Sequence, residues 1–320
     1  MKFIDKFQRK IEQISLHSIA LIIAYGLLSG CASVNPEPFT KYRNAVQEAQ
    51  SGIDAAMSID YAWTRTSYIE NFSGNKESKF TMLMIQPGEK YDWSLENPPV
   101  YLSVKLTRSR LADLNQSFIK YADLLNKLAS PNLISTETFD QLTKDLNKNA
   151  TEAAKALGLD SSSDGIAIFS TAASEAARLY IENRRQEHLK NAIEENQKNV
   201  QKYAQHCVSL IHTIRGSIKN SYANRTEPIQ KAWKKSIGKE RQNNTEAMLN
   251  LNEQYADVMR VLQELESTYS ALPEAHADLS KGIETTKLDI AGIEKLYSSA
   301  KRLQRLYNEL KDSAEKKTNS

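Results

Sequence analysis

Two cysteines and five histidines have the widest chemical reach in this chain of 320 residues. Cys207 falls in an apolar rhythm with Val200, Tyr203 and Leu210, where cysteine acts as a small buried hydrophobe. A catalytic thiol needs exposure and a nearby base, and the neighbouring His206 points to another helix face. His206 and His212 are six positions apart, so they do not pair as ligands at i and i+4 would. No Glu-x-x-His, His-Glu-x-x-His or Cys-x-x-Cys occurs, which removes the usual helical metal and redox motifs. A metal site assembled from distant helices stays open on these grounds. The run "GLDSSSDG" at 158–165 has neither the lysine of a phosphate loop nor the spacing of a calcium loop. No Gly-x-Ser-x-Gly elbow accompanies it. The expectation is a chain that is not an enzyme, with no catalytic, cofactor or metal site.

Cys31 is different because of what precedes it. Residues 1–18 carry four basic and two acidic side chains, and Ile19 to Leu28 follow without a charge. A positive start, a short apolar run and small residues at its end make a secretory signal over residues 1–30. Ten apolar residues are about half of what a helix needs to cross a bilayer. Within "LLSGCAS", residues 27–33, the order Leu28-Ser29-Gly30-Cys31 resembles the lipobox of bacterial lipoproteins and matches it over all four positions. The resemblance implies diacylglycerol on the Cys31 thiol, cleavage just before it, and Cys31 as the first residue of the mature chain. Ala32, where an Asp favours inner-membrane retention in enterobacteria, implies the outer membrane facing the periplasm. Two or more acyl chains hold firmly where one holds only marginally. Residues 31–39 read as a short tether stiffened by Pro36 and Pro38.

Once residues 1–30 are set aside, 38 basic and 37 acidic side chains remain, so the body is close to neutral. No basic patch with interleaved aromatics marks a nucleic-acid partner. With Cys31 lipidated, Cys207 has no partner for an intramolecular disulfide. Stability then rests on packing, and the positioning elements are helices. The eight prolines leave long stretches clear after Pro131, and these are rich in good helix formers.

The fold class expected is all-α: an elongated antiparallel helical bundle or coiled coil, with a small irregular or β-hairpin insertion near 72–98. Residues 40–157 read as an N-terminal helical region, with helices over about 40–70, 99–129 and 135–157. Residues 161–316 read as a long three-helix antiparallel bundle with turns at Asn224–Pro228 and Ala271–Pro273. Its first helix should run from the Ser161–Asp164 cap to about Tyr222, some 85 Å long. Its seams, such as Leu189, Ile193, Asn196, Val200, Tyr203, Cys207, Leu210 and Ile214, step by fours and threes and demand partner helices. Asn196 could fix register there. A charge at Leu262 should disrupt these seams, and a change at Lys281 should be mild.

Two functional classes follow. The first is a lipid-anchored cell-envelope protein, attached to the membrane through Cys31, whose helical body is a scaffold or binding module for an envelope protein or for another copy of itself. The alternative is a membrane-active helical protein of pore-forming type that inserts Phe80–Ile85 or Ile166–Ile181. Against the second stand Glu175 and Arg178, which make the latter segment a poor membrane span.

Overall fold

The structure, a computed structural model, describes residues 34–74, 100–130, 185–284 and 290–318. Cys31, the segments 75–99 and 131–184, and with them Phe80–Ile85, Ile166–Ile181, the 135–157 helix, the Ser161–Asp164 cap and most of the insertion near 72–98, lie outside the described residues. Those described fold into five helices and no strand: α1 (Glu37–Gly74), α2 (Val100–Ala129), α3 (Arg185–Lys235), α4 (Gly238–Glu284) and α5 (Ala291–Thr318).

α1 starts where its sequence dictates. The Asn35 side chain accepts the Glu37 N–H at 3.0 Å, a helix cap. Pro36 and Pro38 sit in the first turn, where a missing N–H costs nothing. They therefore open a helix rather than stiffen a tether. Val34 is already 5 % exposed and in the core, so only three peptide bonds separate Cys31 from the packed body.

The buried positions of α1 include a series of Phe39, Tyr42, Val46, Ala49, Ile53, Ala56, Asp60, Trp63 and Ser67. They alternate steps of three and four without interruption, the spacing of a coiled-coil seam. Ala45, Gly52 and Ala55 widen that stripe with small residues, and α1 packs against all four other helices. A Cβ on Gly52 would lie 2.5 Å from Leu303 and 3.1 Å from Leu265. Here α1 sinks between α4 and α5 because a hydrogen stands where a methyl would.

Cross-helix bonds set the directions. Thr40 meets Asn126 and Arg108 meets Asp54, so α2 runs antiparallel to α1. Ser217 donates to Asp60 and Asn224 to Ser67, so α3 runs parallel to α1. Tyr222 with Asn252 and Gln197 with Pro273 reverse α4 against α3. Arg302 with Glu264 and the Gly292 N–H with Asp278 reverse α5 against α4. One core runs through all five, from Phe39 and Tyr121 to Ile193, Leu262 and Leu303. The 51 residues of α3 make it about 77 Å long. The bundle is elongated.

Both expected turns are corrected. α3 continues through Pro228 to Lys235, and α4 runs through Pro273 to Glu284. The chain reverses instead at Ser236-Ile237, beside Gly238 at φ 57°, a left-handed conformation that glycine adopts without penalty. Proline inside a helix removes a bond and costs about 3 kcal/mol. Packing outweighs it at Pro273, which lies among buried Tyr269, Leu272, Ala275 and His276.

The seam of α3 also shifts: Ile211 is fully buried where Leu210 was expected and Leu210 is half-buried. From Tyr203 the steps are four and four before threes and fours resume, a stutter in the heptad pattern. Asn196 is buried, but its amide donates to the Ala192 carbonyl at 2.8 Å and its oxygen accepts from Asn199, so among the described residues its bonds stay within its own helix. Lys281, expected to tolerate change, lies 2.7 Å from Asp278, which is 3 % exposed and also accepts the Gly292 N–H. A carboxylate at 281 would stand against a buried carboxylate.

Leu262 is fully buried. Leu262→Asp should lower stability by several kcal/mol, since it puts an unpaired charge in an apolar seam. Lys219→Asp, on an exposed position of α3, should change stability by about 0.5 kcal/mol or less. Thermal melts followed by circular dichroism give both numbers, and small-angle scattering should show a rod. A Leu262→Asp chain melting like the parent would contradict the shared core.

Candidate functional site

The most chemically developed interior site sits where α1, α2, α3 and α4 meet. His276 is completely buried. Its Nδ1 lies 2.7 Å from Gln197 Oε1 and its Nε2 lies 2.8 Å from the Tyr121 hydroxyl. Gln197 spends its amide N–H on the Pro273 carbonyl at 2.9 Å, which leaves its oxygen as an acceptor. Nδ1 therefore carries the proton, and Nε2 accepts from Tyr121. The Tyr42 and Tyr121 rings flank the imidazole, each at a centroid distance of 5.8 Å. Burial holds the imidazole neutral by pushing its pKa down to about 3. Proline at 273 thus contributes its carbonyl to the network on the same helix that it interrupts.

Farther along, Phe118 stacks on Tyr203 at 4.3 Å and Tyr203 meets Tyr269 edge-on at 6.0 Å. The Tyr203 hydroxyl donates to buried Asn115 at 2.6 Å. Cys207 lies beside these rings, fully buried, and burial pushes its thiol up to about 12. A thiol so placed is a packing group, as its seam position implied. His206 is half-buried on another face, and burial lowers its pKa.

His212 meets Glu266 at 2.8 Å, and Arg215 meets the same carboxylate at 2.5 Å. Together they hold the Glu266 carboxyl below its usual range, His212 most. His212 borders an open depression of about 480 Å³ between α3 and α4, with Gln201, Gln205, Ser209 and Ser270 on its walls. Among the described residues no hydroxyl or thiol is hydrogen-bonded to His212, and the Glu266 charge is already countered by Arg215. A second hollow, about 80 Å³ beside the Arg108–Asp54 pair, is too small for more than a few waters. No three His, Cys, Asp or Glu side chains converge as metal ligands among the described residues.

Sequence reasoning placed Cys207 and separated His206 from His212, but it missed the His276 network. Its signal was a histidine at a seam position between Leu272 and Leu279. Its partner Tyr121 lies 155 residues away, beyond what periodicity reports.

Asp60 opposes His276 in its response to pH. Burial raises its pKa from 3.8 to about 6, while the Ser217 hydroxyl at 2.6 Å lowers it. Below pH 6.5 the unfolded chain takes a proton on His276 that the folded one refuses until about pH 3, so stability is lost as pH falls. The folded state holds the Asp60 proton more tightly, so between pH 6 and 3.8 stability is gained as pH falls. Each contributes about 1.4 kcal/mol per pH unit within its window. The parent should therefore show a shallow profile between pH 6 and 4, and Asp60→Asn a steady decline from pH 6.5 downward. Urea melts across that range measure both; parallel profiles would contradict the assignment.

Among the described residues no helix is long and apolar enough to cross a membrane. Comparison of the chain with family models, curated proteins and solved structures finds no match.

Proposed function

We propose that the chain is a lipid-anchored protein of the bacterial cell envelope, attached through Cys31, whose helical rod serves as a scaffold or binding module. The observation that carries this reading is the Leu28-Ser29-Gly30-Cys31 lipobox, followed within three residues by a side chain already in the core. Three residues reach at most about 11 Å, so an anchor at Cys31 would hold the first turn of α1 against the headgroups. With Ala32 after the cysteine, the outer membrane facing the periplasm is the compartment proposed. The partner would be an envelope protein or another copy of the chain. The reading assigns no reaction and no cofactor.

Replacing Cys31 with Ser should abolish acyl labelling and leave an uncleaved precursor, with the helical content of the body unchanged. Labelling and processing at parental levels would overturn the anchor. The membrane-active alternative rests on Phe80–Ile85 and Ile166–Ile181, and release of dye from liposomes by the purified chain separates it from the scaffold reading.

A further inference from the structure

The far end of the rod carries a second chemistry. Towards their shared turn, α3 and α4 form a two-helix tip in which most described residues from 226 to 247 are exposed. The tip is fixed internally: Trp233 Nε1 donates to Thr245 at 3.0 Å, and Asn244 donates to Ser236, which is buried in the turn. At its apex Ile237 is 83 % exposed and Trp233 is 36 % exposed. Lys234, Lys235 and Lys239 surround them, all exposed and with no ion pair recorded among the described residues, and Glu240 is the one acidic residue between 228 and 245. The Arg241 guanidinium lies over the Trp233 ring at 3.8 Å.

We propose that this tip docks on an anionic phospholipid surface. Neither hollow found among the described residues is lined by the apex, which offers an aliphatic point, and a bilayer yields around such a point. Ile237 would enter the headgroup–acyl boundary, Trp233 would lie at headgroup depth, and the three lysines would meet lipid phosphates. Arg241 already covers one face of the Trp233 ring and Thr245 holds its N–H, which leaves less of it to stack on a nucleic-acid base. The register of α1 with α3 places Val34 level with residue 191 of α3, about 70 Å from Ile237. The site is therefore independent of any anchor at Cys31.

The test uses the full chain with vesicles of phosphatidylcholine alone or mixed with phosphatidylglycerol, their acyl chains brominated. Quenching of Trp233 is the difference between the parent and Trp233→Phe. Quenching is expected in the mixed vesicles and not in the neutral ones. Lys234→Gln and Lys235→Gln should each weaken partition about fivefold, and Ile237→Ser should weaken it with an unchanged melting temperature. Equal quenching in both vesicle types, variants that partition like the parent, or binding to polyglutamate without quenching by anionic vesicles would each overturn the proposal. Acylation at Cys31 is read separately by labelling, so neither result decides the other.

Discussion

None of the five helices can bury its apolar stripe alone, and α1 is where their stripes meet. Its uninterrupted three–four spacing gives one face to a coiled-coil partner, and the small residues Ala45, Gly52 and Ala55 widen that face. A helix with one stripe joins a pair; one with a stripe this wide becomes the centre of a bundle. Gly52 makes the constraint concrete, because Leu265 of α4 and Leu303 of α5 both press on α1 at that point. The parallel run of α1, α3 and α5 and the antiparallel run of α2 and α4 both follow from alternating helices around that centre.

Polar groups inside the core narrow the ways in which the helices can slide. An apolar seam moved by one heptad loses little hydrophobic area, but such a shift would part His276 from Gln197 and Tyr121, and Tyr203 from Asn115. Each buried group left unpaired costs about 1–3 kcal/mol. The three bonds to His276 and Gln197 join α2, α3 and α4 at one level, a register role that the sequence suggested for Asn196 and that the structure gives to a histidine. The neutral, proton-refusing character of that histidine is thus a consequence of alignment.

How much could be read from the chain follows the same division between local and distant causes. The helices over 40–70 and 99–129 and the three–four steps of α4 are local patterns, and the structure returns them within a few residues. The seam cysteine was equally legible. Pro228 and Pro273 misled because a proline states a local cost, while the compensation comes from elsewhere. Tyr222 stacks on Tyr255 at 4.3 Å, and Arg225 lies over Trp63, just before Pro228; α3 is packed up to the proline that it passes through. The basic tip was hidden for a related reason. Its lysines are ordinary solvated charges while the turn is placed at 224–228, and become the rim of an apex only once the reversal moves to 236–237.

The ends of the rod differ in kind, and that difference gives the long axis a meaning. Near Val34 the surface is knitted by opposite charges: Lys41 bridges Glu37 and Glu294, and Lys295 faces Glu274. Near Ile237 positive charge is in excess: Lys234, Lys235, Lys239 and Arg241 stand against Glu240 alone. Charges that are already paired attract little at a distance, whereas unpaired ones act out to a Debye length of about 8 Å at physiological salt. The tip is thus the end equipped to seek a distant surface, and the opposite end, three residues from Cys31, the one suited to being held. A rigid body with those two ends fixes a separation: if both proposals hold, the space between the surfaces it touches is set by helix rise and residue count, which is a property a scaffold needs and a flexible tether lacks.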